Sequence, residues 1–161
     1  MTTLTLQGVG AASQRPDVGC PNDCDPPIQS DAVYVLFTTI DATLAAARVG
    51  HHFATAMAVP LTLVHLRSVP YPLPVDRPAG VSPLETQAFL DRLDAAGVQA
   101  QIRIVLCRDA YRTISTAVPR HSLVVVGGRR RWWPSRIDRW RRVLDSAGHY
   151  VVFVDQENSH A

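Results

Sequence analysis

The chain has 161 residues, of which 47% are hydrophobic and 19% are charged. This length suits one domain with a buried core, and the composition is that of a globular protein. No apolar run approaches the roughly 20 residues that a membrane helix needs, and the first residues lack the basic start and apolar block of a secretory signal. We therefore expect a cytoplasmic protein without a membrane span.

The net charge of +2 is unevenly distributed along the chain. The stretch Arg129–Arg142, called here the arginine–tryptophan segment, contains seven arginines against one aspartate, so the rest of the chain is net acidic. A local basic segment of this kind points to a local binding surface or a solvated helix face rather than to a generally basic protein.

Residues 1–31 contain Gly, Pro, Ser and Asp without hydrophobic periodicity, and we expect a flexible tail there. Cys20 and Cys24 lie in this tail, and no downstream Cys/His pair completes a zinc site, so no metal site is predicted. The predicted domain covers residues 32–155 and is followed by a polar C-terminal tail at 156–161.

The predicted strands are short apolar runs rich in β-branched residues, as in strands that are buried on both faces. In chain order they are Ala32–Thr39, Leu61–Leu66, Val98–Cys107, Ser122–Val126 and Tyr150–Val154.

Four predicted helices alternate with these strands, and their ends carry capping residues, glycines or prolines. They cover residues 41–59, 82–96, 109–118 and 135–147. Asp41 or Thr43 is the candidate N-cap of the first helix, and Ser82–Glu85 forms a capping box at the second. Gly97 and Gly148 are the predicted stops of the second and fourth helices.

This alternation predicts an α/β fold, in which a five-stranded parallel sheet is covered by helices on both faces. Ligands of such sheets bind beyond the carboxyl ends of the strands, where the crossovers diverge. If the first and fourth strands flank that point, the candidate ligand-binding crevice is lined by Thr38, Thr39, Ile40, Gly127, Gly128 and Arg129.

Four sequence stretches in these elements resemble the universal stress protein family over about residues 31–155. They are TLVHL at 62–66, RDAYRTI at 108–114, LVVVGGRR at 123–130 and RVLDSAGHYVVFV at 142–154. The resemblance implies a Rossmann-like, adenine nucleotide alpha hydrolase-like sheet with strand order 3-2-1-4-5. It also implies a homodimer that pairs along the last strand, at Tyr150, Val151, Val152, Phe153 and Val154. The alternative is that the tail covers this edge.

A subset of the family binds ATP through an acidic residue after the first strand and a G-x-x-G-x9-G-[S/T] stretch after the fourth. In this chain Thr38 and Thr39 take the places of the acid and the glycine after it. Gly127 matches the first glycine of the stretch, whereas Arg130 stands at the second and Ile137–Asp138 at the final pair.

Side chains at glycine positions keep the backbone away from a phosphate, and the carboxylate of Asp138 repels one. We therefore expect a degenerate nucleotide site and no cofactor. The alternative is that Arg129, Arg130 and Arg131 hold ATP, AMP or another anion with their guanidinium groups, with weak ATPase activity at most.

Helical spacing in the arginine–tryptophan segment places Ile137, Trp140, Leu144 and Ala147 on one face, which we expect to pack on the sheet. The arginines are then either solvated or part of a partner surface, because Arg and Trp anchor many interfaces. The candidate partner surface consists of Arg131, Trp132, Trp133, Arg136 and Arg139. Contact with nucleic acid or with an anionic membrane is a weaker alternative, since the chain is only mildly basic and has no reader motif.

The six histidines have no metal-ligand or acid-paired spacing, and Ser115 and Ser122 have no G-x-S-x-G context. No catalytic residue is predicted. The sequence thus favours a non-enzymatic stress-response or regulatory protein of bacterial type, whose protein partner it does not identify.

Overall fold

The computed structural model of the chain describes residues 3–6, 30–72, 83–129 and 136–155. Within these ranges the strands are β1 Thr3–Leu6, β2 Val33–Leu36, β3 Leu61–Ser68, β4 Gln101–Cys107, β5 Leu123–Gly128 and β6 Tyr150–Asp155. The helices are α1 Ile40–Met57, α2 Pro83–Ala95, α3 Ala110–Ala117 and α4 Arg136–Ser146.

The strands form one sheet in the order β1-β4-β3-β2-β5-β6. The pairs β4–β3, β3–β2, β2–β5 and β5–β6 are all parallel. Numbered along the chain, the five parallel strands therefore have the order 3-2-1-4-5. The predicted α/β fold and its strand order are confirmed.

The remaining strand, β1, is a correction to the sequence analysis. It runs antiparallel to β4 at the edge of the sheet, within the stretch that was expected to be a flexible tail. The prediction is wrong for these four residues, because it weighed the composition of the whole stretch. The local Thr-Leu alternation suits a strand, but its pairing partner lies about 100 residues away in sequence. Residues 7–29, with Cys20 and Cys24, lie outside the described residues.

Several boundaries differ from the prediction, and the two largest differences are in β2 and β4. Strand β2 ends at Leu36 rather than at Thr39, because Thr39 is already the N-cap of α1. Its backbone is extended (φ −125°, ψ 161°), and its hydroxyl accepts a hydrogen bond from the Ala42 N–H. The N-cap is therefore neither Asp41 nor Thr43. Strand β4 begins at Gln101 rather than at Val98.

The predicted glycine stops are observed at both positions. Gly97 after α2 and Gly148 after α4 have φ values of +67° and +80°, a backbone conformation that glycine adopts without steric strain.

The core has one apolar layer on each face of the sheet. The first layer lies under α3 and α4 and includes Ile114, Trp140 and Leu144, and the second lies under α1 and α2 and includes Ala46 and Leu93. Because both faces are covered, β2 and β5 are buried along their whole length. None of the helices in the described ranges is long and apolar enough to cross a membrane.

Candidate functional site

The carboxyl ends of β2 and β5 lie side by side at the centre of the sheet. Leu36 is in register with Val126, and the chain leaves β2 toward β3 on one side while β5 leads to β6 on the other. This is the switch point at which ligands of open α/β sheets bind. The structure therefore brings the predicted residues Thr38 and Gly127 together.

At the switch point the polar groups of the two threonines bond to the protein itself. The Thr38 hydroxyl donates to the carbonyl oxygen of Gly127 at 2.8 Å, and the Thr38 N–H donates to the Thr43 hydroxyl at 3.0 Å. The Thr39 hydroxyl accepts from the Ala42 N–H at 3.4 Å as the cap of α1. These hydrogen bonds cap α1 and join the ends of the two strands. Their presence is therefore explained without a ligand.

The two glycines after β5 are explained by close packing. A Cβ atom on Gly127 would collide with the carbonyl oxygen of Ala42 and would come within 3.1 Å of the Ala46 Cβ. On Gly128 it would meet the end of the Ile137 side chain. The first turn of α1 and the start of α4 therefore occupy the space above both glycines. This packing requirement is sufficient to explain why glycine stands at these positions.

Two of the helices that begin at this end of the sheet, α1 and α4, have an acidic residue in the first turn. Asp41 lies in the first turn of α1 and Asp138 in that of α4. Asp41 is exposed and faces Arg92 of α2 at 3.3 Å. A helix N-terminus attracts anions through its N–H groups and dipole, and a carboxylate in the first turn weakens this attraction. This arrangement disfavours a phosphate on either helix.

Of the arginines at the end of β5, the structure describes Arg129, which is exposed next to the buried Gly128. Arg130, Arg131, Trp132 and Trp133 lie outside the described residues. Their predicted roles in anion binding and in a partner surface stay predictions.

The other two predicted partner residues lie on the outer face of α4. The guanidinium of Arg136 lies 4.6 Å from the centre of the Trp140 ring, and that of Arg139 lies 4.1 Å from the centre of the Tyr111 ring on α3. The Tyr111 and Trp140 rings contact each other edge to face, with centroids 6.4 Å apart. We call Arg136, Arg139, Tyr111 and Trp140 the stacked-arginine surface.

Stacking on aromatic rings restricts the conformational freedom of the guanidinium groups but leaves these groups at the surface. Arg136 and Arg139 are exposed, whereas Trp140 is 3% exposed and anchors the stack in the core. Sequence analysis predicted the two arginines but missed Tyr111, because nothing in the local sequence shows that α3 packs beside α4.

The last strand forms one edge of the sheet. Within the described residues, β6 pairs with β5 and with no strand on its outer side. Its six residues are all half-buried. Val151 packs against the first core layer, and Tyr150, Val152 and Val154 pack against the second.

The structure also shows a groove that sequence analysis missed. It is open, has a volume of about 430 Å³ and lies on the α1–α2 side of the domain, away from the switch point. It is lined by Arg48, His51, His52, Thr55, Ala96 and Val98. The spacing of Arg48, His51, His52 and Thr55 in the sequence already indicates that these four residues share one face of α1. Among the described residues, no group of three or more His, Cys, Asp or Glu side chains could hold a metal ion.

The comparisons with known proteins give similarity to solved structures. The crystal structure of a protein from the universal stress protein family from Burkholderia pseudomallei is similar to this chain, with a TM-score of 0.46 and 16% sequence identity. The similarity covers 81% of this chain and 98% of that chain. No family model matches the chain, and no curated protein matches it.

Proposed function

We propose that the chain is a non-enzymatic regulatory protein of the universal stress protein type, which acts as a homodimer through protein contacts and has a degenerate nucleotide site. The observation that carries this proposal is the outer edge of β6. On its outer side β6 has no neighbouring strand among the described residues, and its six positions are half-buried and mostly apolar.

A second copy of the same strand fits this edge. Edge strands carry backbone N–H and C=O groups that pair readily with another chain, and soluble proteins usually blunt such edges with charges or prolines. The stretch Tyr150–Val154 contains neither, and the one charged residue of β6 is Asp155 at its end. Pairing two copies about a two-fold axis would satisfy these groups and cover the apolar side chains in one closed dimer.

The degenerate nucleotide site is supported by the contacts at the switch point. The Thr38 hydroxyl bonds to Gly127, and α1 covers the Gly127 Cα. The adjoining helices carry Asp41 and Asp138 in their first turns. Glycine-rich loops bind a phosphate through backbone N–H groups that come close to it. The hydrogen bond, the packing and the two carboxylates oppose such a close approach.

The stacked-arginine surface is the part of the domain that we assign to a protein partner. Arg136 and Arg139 present guanidinium groups that already lie over the rings of Trp140 and Tyr111. Such groups bind carboxylates through paired hydrogen bonds, and prior ordering lowers the entropy lost on binding. An acidic protein segment is therefore the partner that fits.

The dimer is tested by light scattering on the full chain. A Val152→Lys variant places a charge on the β6 edge and should halve the mass of the particle, whereas Gln87→Lys on exposed α2 should leave it unchanged. A full chain that is monomeric at every concentration would remove the dimer from the proposal.

The nucleotide alternative is tested by titration with Mg²⁺ and ATP. We expect no micromolar binding. Binding at that level, lost in an Arg129→Ala, Arg130→Ala variant, would show instead that guanidinium groups replace the glycine cradle. Binding of nucleic acid that weakens steeply with salt would favour the nucleic-acid alternative.

A further inference from the structure

The groove between α1 and the end of α2 has a size that suits a small molecule. Its volume of about 430 Å³ falls within the range of roughly 300–1,000 Å³ that is usual for such sites. The lining residues from α1 are spaced so that they share one face of the helix, and they are Arg48, His51, His52 and Thr55. Ala96 and Val98, which follow α2, supply the apolar part of the lining.

The helix that carries this face lies close against the sheet. Small buried residues make this possible, and they include Ala42, Ala46, Ala47, Gly50 and Ala54. A Cβ atom on Gly50 would come within 2.8 Å of the Val35 side chain, so the backbone of α1 is nearly in contact with β2. This packing holds the backbone of the groove in place before a ligand binds, which lowers the entropy lost on binding.

The nitrogen donors in the groove have no acceptor within the described part of the chain. Arg48 and His52 are exposed, and His51 is half-buried. Within residues 3–6, 30–72, 83–129 and 136–155, no group forms an ion pair or a hydrogen bond with the Arg48 guanidinium or with either imidazole ring. The acidic residue nearest to Ala96 in sequence, Asp94, is exposed and does not line the groove. The groove therefore attracts an anion, and the permanent charge of Arg48 repels a metal cation.

The end of α2 does not compete for these donors. The last carbonyl groups of a helix carry partial negative charge and would oppose an anion if they were free. Here the Leu93 carbonyl accepts from the Val98 N–H at 2.9 Å, and the Asp94 carbonyl accepts from the Gly97 N–H at 2.9 Å. The cap of α2 thus uses these oxygens, and the side-chain donors of α1 dominate the groove.

We infer that this groove binds the phosphate group of a small phosphorylated molecule through Arg48, His51 and His52. Side chains three or four positions apart on a helix have Cβ atoms about 5–6 Å apart, so Arg48 forms a triangle with the two histidines. A phosphate monoester offers three acceptor oxygens to such a triangle, whereas a carboxylate offers two, which one guanidinium can bind alone. Ala96 and Val98 contact the apolar body of the ligand.

This site is separate from the switch point at which the fold would hold a nucleotide. Arg48 stands eight residues after Ile40, the first residue of α1, which is about 12 Å along the helix axis. The inference therefore depends neither on the degenerate nucleotide site nor on the β6 dimer. It assigns a ligand to a face of the domain that the proposed function does not use.

The test is calorimetric titration of the full chain with phenyl phosphate at constant ionic strength. We expect millimolar or tighter binding, which Arg48→Ala should weaken about tenfold or more, because a charge-assisted hydrogen bond is lost. His51→Ala and His52→Ala should each weaken it severalfold. The matched control is Arg141→Ala, which removes the same charge from an exposed position on α4 and should leave the affinity unchanged.

Two further ligands separate the contributions of the phosphate and of the apolar body. Benzoate should bind more weakly than phenyl phosphate, and equal affinities would overturn the assignment of a phosphate. Inorganic phosphate should bind, though more weakly than phenyl phosphate. Equal affinity would support the phosphate site and identify free phosphate as a sufficient ligand.

Nuclear magnetic resonance on the unaltered chain locates the site without a variant. On addition of phenyl phosphate the amide signals of residues 48–55 and 96–98 should shift, and those of residues 136–142 should not. Shifts concentrated at 136–142 would overturn the inference, because binding would then occur on other arginines. The absence of millimolar binding, or equal weakening by Arg48→Ala and Arg141→Ala, would overturn it as well.

Discussion

The hydroxyl of Thr38 donates a hydrogen bond of 2.8 Å to the carbonyl oxygen of Gly127, 89 residues away in sequence. It joins the ends of β2 and β5 at the point where the fold would otherwise open into a ligand crevice. The hydroxyl of Thr38 therefore serves a contact within the protein.

Thr38→Val should lower the free energy of unfolding by about 1 kcal/mol, because it removes this hydrogen bond and leaves the Gly127 carbonyl without it. Thr38→Ser keeps the hydroxyl and should lose less. Urea denaturation of the two variants measures the difference. Equal losses would mean that the hydroxyl contributes nothing to stability.

Gly127→Ala should destabilise the domain by about 3 kcal/mol, because the new Cβ would collide with the backbone carbonyl of Ala42 and α1 would have to move. Gly128→Ala is the matched control, since its Cβ collides with the end of the Ile137 side chain, which can rotate away, and is otherwise at ordinary contact distance from Phe153. Its cost should be smaller by about 1 kcal/mol or more. Urea denaturation of both variants gives the comparison, and a similar cost at the two positions would contradict the packing explanation.

The stability of the domain should fall in mild acid because of His149. This side chain is 6% exposed, and neither ring nitrogen makes a well-formed hydrogen bond among the described residues. Burial, together with the charge of nearby His121, lowers the pKa of His149 below its usual 6.5, although the backbone of Ser115 opposes the shift.

The unfolded chain therefore binds a proton on His149 at a higher pH than the folded chain does. This contribution to stability is present above pH 6.5 and is lost as the pH falls from there toward the folded-state pKa. Urea denaturation from neutral to mildly acidic pH should show the loss. His149→Leu should reduce the dependence on pH, and His52→Gln on the exposed side of α1 should not. An unchanged dependence in His149→Leu would rule out this residue as the cause.

Cys107 should react slowly with thiol reagents in the folded protein. The side chain is 5% exposed, and burial raises the pKa of its thiol, although hydrogen bonds with Thr113 and Ser68 lower it. Little thiolate therefore forms near neutral pH, and thiolate is the reactive species.

A Cys20→Ser, Cys24→Ser variant leaves Cys107 as its only cysteine. Its labelling by a chromogenic disulfide should be slow in buffer and complete in urea. Fast labelling in buffer would show that the β4 end of the sheet opens.

Arg136→Ala and Arg139→Ala should each change the free energy of unfolding by less than about 1 kcal/mol, because exposed cation–π contacts are weak. Trp140→Ala should cost about 3–5 kcal/mol, because it removes a large core side chain. Thermal denaturation separates the two classes. A large loss in either arginine variant would mean that the stack supports the fold rather than presents a surface.

The sequence by itself determined the succession of the four helices and the five parallel strands, and the two glycine stops. These features depend on hydrophobic periodicity and on capping residues within a few positions of each other. Gly97 and Gly148 are of this kind, since each ends its helix with a local backbone conformation. The packing of Trp140 and Leu144 on the sheet followed from helical spacing in the same way.

Only the tertiary structure decided what the candidate residues contact. Nothing near Gly127 in sequence indicates that Ala42 lies against it, and nothing near Arg139 indicates the ring of Tyr111. The strand Thr3–Leu6 likewise depends on an edge at β4 that exists only once the sheet has formed. Such contacts join residues that are distant along the chain, and the packing of whole elements sets their geometry, so no short stretch of sequence contains the information.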